Sequence, residues 1–141
     1  MTKGYTGIKE DNGDKEWYLN GKLHREDGPA VEHSDGTKGW WVNGQCHRTD
    51  GPAVEFSDGT KEWYLNGKRH RKDDPAVEYD NGTKVWYLKG ELHREDGPAI
   101  EYDDGHKEWW LNSIEYTKEE YYRQLYKKGL ISKDDYFLEF I

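Results

Sequence analysis

A single period governs what this chain can fold into. His-Arg-x-Asp recurs at His24, His47, His70 and His93, in steps of 23 residues. Trp17, Trp40, Trp63, Trp86 and Trp109 keep the same step, as do Pro29, Pro52, Pro75 and Pro98. A period of this size is the mark of stacked supersecondary units, each unable to bury its apolar face alone. The unit carries two turn signals. Asn20-Gly21, Asn43-Gly44 and Asn66-Gly67 suit two-residue type I′ hairpins, where both central residues need positive φ; Lys89-Gly90 is a poorer version. The other signal is Asp35-Gly36, Asp58-Gly59, Asn81-Gly82 and Asp104-Gly105. Short aromatic segments between them read as strands. The fold class is therefore all-β, an elongated antiparallel meander of repeating hairpins.

Charge selects the length of the second turn. A two-residue loop would set Glu55 against Glu62 and Glu101 against Glu108, which is unfavourable. A three-residue loop with a bulge pairs Glu32 with Lys38, Glu55 with Lys61, Glu78 with Lys84 and Glu101 with Lys107. Such pairs add little stability when exposed but fix register. The same register sets Ala30 against Trp40 and Ala53 against Trp63. Ile8, Asn12, Gly13 and Lys15 stand one period before Val31, Asp35, Gly36 and Lys38, as a partial first copy. Asp-Gly-Pro-Ala, from Asp27 to Ala30, reads as the corner linking units. Asp73-Asp74-Pro75 lacks the glycine, so a local distortion is expected there.

The array is assigned to residues 1–112 and a short α-helical C-terminal cap to 113–141. In the cap, Thr117-Lys118-Glu119-Glu120 is a capping box that opens a helix to about Lys128, and Gly129 stops it. Ser132 is a second N-cap, for a helix ending Phe137 to Ile141. These helices are expected to cover the open edge of the last hairpin.

The period, the Asn-Gly-Lys-x-His phrase and the downstream Asp-Gly are similar to MORN repeats, with Gly21, His24 and Gly36 on the MORN glycine, histidine and glycine over residues 8–112. Arg25, Arg48, Arg71 and Arg94 depart from the pattern, since MORN units follow the histidine with glycine. His-Arg-x-Asp-Gly-Pro-Ala more closely resembles MORN-like repeats of bacteriophage and giant-virus proteins. The resemblance implies protein–protein contact, self-association or lipid binding, and a phage origin would imply action on a host protein.

Aromatic residues make up 15% of the chain and must supply the thin core, because only 33% of it is hydrophobic. A formal charge of −8 opposes nucleic acid and anionic membranes and suits a protein partner with a basic patch. No apolar run approaches the ~20 residues of a membrane span. The absence of an apolar leader and the single Cys46 point to the cytoplasm, which is the host cytoplasm for a phage protein.

Candidate partner-binding residues are the aromatics Trp41, Tyr64, Tyr87, Trp110, Phe56, Tyr79 and Tyr102, with Glu55, Glu78 and Glu101. Trp17, His24, Trp40, His47, Trp63, His70, Trp86 and His93 are assigned to structure, each histidine packing on the tryptophan across its hairpin. No catalytic residue, metal or cofactor is expected: a triplet repeated four times is unlike a singular active site, and no local His or Cys pair has zinc spacing. Cys46 stands where other copies carry Leu23, Arg69 and Leu92. The leading expectation is a non-enzymatic protein-binding module. A carbohydrate-binding or virion-associated repeat and a self-associating spacer are the alternatives, and a homodimer fits the last.

Overall fold

In the computed structural model, which describes residues 4–139, each full 23-residue unit carries four short strands, arranged in antiparallel hairpins. The strands line up as one continuous meander: a twelve-stranded sheet with three two-stranded ladders beside it. The Asn-Gly turns have both central residues at positive φ, as at Asn43 (51°) and Gly44 (78°), and Lys89 adopts 52° in the fourth copy. The second turn is the three-residue loop that charge predicts. Thr37 carbonyl accepts from His33 N–H, Gly36 N–H donates back to His33, and Glu32 faces Lys38.

Each charged partner is shared on two sides. Lys38 lies between Glu32 and Glu55, Lys61 between Glu55 and Glu78, and Lys84 between Glu78 and Glu101. With Lys15 opposite both Glu10 and Glu32, and Lys107 opposite Glu101, alternating charge crosses the whole sheet. The partial first copy reaches this ladder by a different turn. Asp11 pairs with Asp14 across Asn12-Gly13, a two-residue loop, so Glu10 rather than Lys9 meets Lys15. Ile8 therefore faces Trp17, one position out of step with Val31.

Successive side chains alternate between the two faces of a strand. On one face, Arg25, Arg48, Arg71 and Arg94 lie flat over Trp17, Trp40, Trp63 and Trp86, with 3.8–4.1 Å from guanidinium carbon to ring centre. The same guanidinium donates to the proline carbonyl of its own corner, at 3.0 Å in Arg25, Arg48 and Arg94. It also donates to the corner aspartate: Arg25 to Asp27, Arg48 to Asp50 and Arg94 to Asp96. Glu32, Glu55, Glu78 and Glu101 complete the set at 3.2–3.7 Å. A Cβ on Gly28, Gly51 or Gly97 would stand 2.8–3.0 Å from the guanidinium carbon, so the corner glycine lets the arginine lie close without adjustment, although Arg71 stacks on Trp63 at 3.9 Å with Asp74 in that place. The third copy, with Asp74 in the glycine's place, is distorted as expected. Asp73 is at φ 72°, and Arg71 turns to Asp74 at 3.7 Å.

Ala30, Ala53, Ala76 and Ala99 are fully buried beside the tryptophans. Trp17 N–H donates to Ala30 and Trp40 N–H to Ala53, so each alanine also serves the strand before it. Pairing continues past residue 112, to Ile114–Tyr116 opposite Trp109–Leu111. The helices α1 (Lys118–Lys127) and α2 (Lys133–Leu138) follow, capped by Thr117 and Ser132; Phe140 and Ile141 lie outside the described residues. Position 117, where a fifth arginine would fall, is Thr. Tyr121 and Leu125 of α1 pack with Leu111 and Trp109 in its stead. Tyr121 donates to Arg94 carbonyl and accepts from Gly97 N–H. The cap thus seals the arginine face of the last copy. Among the described residues, no helix is long and apolar enough to cross a membrane.

Two substitutions test these anchors. Arg48→Lys keeps the charge but loses the planar stack and the forked donors. It should cost about 2 kcal/mol in urea unfolding, the scale of a desolvated cation–π contact plus a charged hydrogen bond. Tyr121→Phe leaves a buried carbonyl and N–H unpaired and should cost about 1–3 kcal/mol.

Candidate functional site

The alternation of each strand divides the candidate residues between two faces. Trp41, Tyr64, Tyr87 and Trp110 share the face opposite the arginines with Phe56, Tyr79 and Tyr102. Phe56 and Tyr79 are 40% and 43% exposed, so this is an accessible aromatic surface. Glu55, Glu78 and Glu101 stand on the other face, bound to Arg48, Arg71 and Arg94. They do not contribute to one site with the aromatics, because each neighbours an inward or outward residue of the opposite parity.

The carboxylates that do belong to the aromatic face are Glu16, Glu62 and Glu108. Tyr18 hydroxyl donates to Glu16. Tyr64 hydroxyl donates to Glu62 at 2.8 Å. Trp110 Nε1 donates to Glu108 at 3.0 Å, and Tyr102 hydroxyl reaches the same carboxylate at 3.3 Å. The intervening copies have Gly39 and Val85 at this position. The face therefore repeats every second unit, a signal visible in Glu16-Trp17-Tyr18, Glu62-Trp63-Tyr64 and Glu108-Trp109-Trp110 that inspection of single 23-mers passes over.

Glu62 is the most enclosed of the three, at 8% exposure. Arg69, across the hairpin from Tyr64, donates to both its oxygens at 3.3 and 3.4 Å. The guanidinium also sits 5.9 Å from the Tyr64 ring centre and 5.4 Å from that of Tyr87. Burial first, then the Glu62 hydrogen bond and charge, push the Tyr64 hydroxyl up to about 12. Tyr64 is thus held neutral as a donor, and the face is a network of fixed polar partners with aromatic surface left over. Two shallow grooves lie on it. One, of ≈ 400 Å³, is lined by Tyr79, Val85, Tyr87, Ile100 and Tyr102 together with the polar Asn81, Thr83 and Asp103. The other, of ≈ 530 Å³, is bounded by Trp41, Cys46, Val54 and Tyr64.

The histidines assigned to structure link neighbouring copies. His47 N–H does donate to Trp40 carbonyl across the hairpin. Each ring, however, reaches forward to the next copy: Nδ1 of His24, His47, His70 and His93 accepts from the N–H of Asn43, Asn66, Lys89 and Asn112, at 2.9–3.0 Å. The opposite edge is laced in the same way. Thr37, Thr60 and Thr83 hydroxyls accept from Ser57, Asp80 and Asp103 N–H at 3.1–3.2 Å. Asp14 plays this part for Ser34, and that hydrogen bond, opposed by burial and helped by His33, holds its carboxyl below the usual range. In the last copy the threonine position is His106, with no following turn to serve. Among the described residues, no three His, Cys, Asp or Glu side chains are placed to hold a metal ion. The chain matches no protein-family model and no curated protein.

Cys46 lies 6% exposed beneath this face, and burial, with Glu62 nearby, pushes its thiol up to about 12. Native protein at pH 8 should react with iodoacetamide at least ~100-fold more slowly than denatured protein, because the thiolate is the nucleophile. Comparable rates in the two states would show that the aromatic face does not enclose the sulfur.

Proposed function

We propose that this chain is a non-enzymatic, protein-binding repeat module that docks through the aromatic face. It is read as a MORN-like protein of the His-Arg-x-Asp-Gly-Pro-Ala type, encoded by a phage and acting in the host cytoplasm on a host protein with a basic patch. The observation that carries this reading is the row of Trp41, Tyr64, Tyr87 and Trp110 at one register of one face, with carboxylates beside alternate members. Tyrosine and tryptophan offer large contact area with few rotors to freeze, and they dominate binding energy at protein interfaces. The Tyr64 hydroxyl and the Trp110 indole are already held by Glu62 and Glu108, so these two rings are set before a partner arrives. The net charge of −8 favours encounter with a basic surface. The array is also long relative to its depth, which suits an extended contact better than an enclosed substrate.

A second reading rests on the ≈ 400 Å³ groove. Its lining combines Tyr79, Tyr87 and Tyr102 with Asn81, Thr83 and Asp103, aromatic rings beside polar groups, a combination suited to stacking a sugar ring. Salt separates the two. Charge-steered protein docking weakens steeply with ionic strength, whereas stacking on a neutral sugar does not.

The test is affinity capture from host lysate with wild type and with Tyr64→Ala/Tyr87→Ala, each partner then confirmed by titration with purified protein. The double variant should lose at least ~10-fold in affinity, and the complex should weaken as salt is raised. A folded double variant that retains the same partners with unchanged affinity would remove the aromatic face from the interaction.

A further inference from the structure

The cap helix shows what a corner of this array can hold. Tyr121 hydroxyl donates to the Arg94 carbonyl and accepts from Gly97 N–H at 3.2 Å. Its ring and Leu125 pack with Trp109 and Leu111. Three periods earlier stand Arg25, Gly28, Trp40 and Val42, and these four line a cleft of ≈ 570 Å³ on the arginine face. One wall is the first corner, Arg25–Gly28, and the other is the second, His47–Asp50. Residues 116–119 stand three periods after His47–Asp50, and there the chain turns into α1 instead of making another corner. Tyr121 therefore sits, by the repeat, where the cleft lies open between the first two corners.

Two backbone groups give that cleft a chemical preference. Among the described residues, no hydrogen bond reaches the Arg25 carbonyl or leaves Gly28 N–H, and the same is true of Arg48 and Gly51 at the second corner. Gly97 is buried beneath the cap, whereas Gly28 and Gly51 are half-buried. A carbonyl and an N–H held side by side call for one group that donates and accepts at once, which a hydroxyl does. The third corner has no such pair. Asp74 N–H turns to the Lys72 carbonyl at 2.9 Å, with Asp73 at φ 72°, and the corner closes on itself.

We propose that the first corner, and by the same groups the second, binds the phenol of a tyrosine side chain from a partner protein, its hydroxyl bridging the arginine carbonyl and the glycine N–H as Tyr121 does at the fourth. Arg48 already covers Trp40, so the incoming ring takes the space between the two walls and not the stacked indole face. Glu26, Asp27 and Asp50 line the cleft with exposed carboxylates, which favours a tyrosine with Lys or Arg beside it. Burial pushes the Tyr121 hydroxyl up, so it keeps the proton it donates. A phosphotyrosine would bring acceptor oxygens and negative charge to a carbonyl and three carboxylates, and the site excludes it. This site lies on the face opposite Tyr64 and Tyr87 and does not depend on what the aromatic row binds.

Amide NMR titration of the full chain tests it, with N-acetyltyrosinamide, its phenylalanine counterpart and its O-phosphorylated form as probes. The tyrosine probe should shift the Gly28 and Gly51 amide signals saturably and leave that of Gly97, already held by Tyr121, in place. The phenylalanine probe should bind about 10-fold more weakly for want of the hydroxyl, and the phosphorylated probe should not bind. Gly28→Asp gives the first corner the residue that the third carries and should abolish the response there while Gly51 still responds. Asp74→Gly should open the third corner and add one responding amide. Signals from the untouched copies check that each variant folds. Absence of any shift at Gly28 and Gly51 would overturn the proposal, as would equal binding of the tyrosine and phenylalanine probes. Should Gly28→Asp fail to fold, Asp74→Gly decides alone: a third corner that stays silent overturns the assignment.

Discussion

The arginine of each unit is the contact on which the rest of this structure depends. One guanidinium covers an indole, closes its corner onto a proline carbonyl, and meets two carboxylates. A sheet of this kind has no second sheet packed against it to bury the tryptophans. The corner, folded back by arginine, is the second layer. This explains how a chain with 35% charged residues holds an ordered aromatic core: a planar, weakly hydrated cation can lie on an apolar ring while its edge stays hydrogen-bonded. It also explains why the chain needs a different end. The fifth tryptophan, Trp109, has no arginine to follow it; Leu125 and Tyr121 pack against it instead, and the Tyr121 hydroxyl ties α1 to the corner of the copy before.

Short strands impose a second requirement. Many of the strands here are two residues long, which gives few ladder hydrogen bonds per unit. The units are joined instead along both edges, by histidine nitrogen on one and threonine oxygen on the other, each taking a backbone N–H from the next turn. A turn N–H is a donor that must be satisfied by something. Using it to reach the adjacent copy converts a loose loop into a nearest-neighbour link, the kind of interface term on which the stability of a repeat array rests. The edges are thereby the places where neighbouring units are most specifically recognised, while the face opposite the arginines is left free to vary.

Much of this was legible in the sequence. The period, the two turn types, the loop length chosen by charge, the weakened third corner and both helix caps follow from residues and elementary rules. The forward reach of the histidine rings was not legible. Position along one strand says what lies across the hairpin, Trp40 for His47, but not that the ring leans toward Asn66, which lies 19 residues on. The grouping of Glu55, Glu78 and Glu101 with the aromatics failed for a simpler reason. Each directly follows a valine or isoleucine of the aromatic face, and a strand reverses direction at every residue. The carboxylates that do share that face, Glu16, Glu62 and Glu108, were hidden by a period of two units rather than one.

The first copy shows that charge is a cause of register here and not a decoration of it. Ile8, Gly13 and Lys15 keep the same spacing as Val31, Gly36 and Lys38. The three-residue loop of the later copies, placed on this segment, would set Lys9 against Lys15. A two-residue loop sets Glu10 there, and that is the turn the chain makes. Asn12 at φ 51° and Gly13 at 87° supply the positive φ values it needs. Asn81-Gly82 nevertheless sits in a three-residue loop, where Glu78 meets Lys84, so the charges and not the Asn-Gly pair separate the two versions. Because a shift of one residue also exchanges the two faces, Ile8 moves to the tryptophan side, away from the position its spacing would give it. A ladder of alternating charge is a weak source of stability in any single pair. Repeated along the sheet, it disfavours one-residue slips, which set glutamate against glutamate where Glu16, Glu62 or Glu108 follows the lysine and lose the attraction elsewhere, and so favours one alignment of a sequence whose near-identical copies would otherwise pair in many.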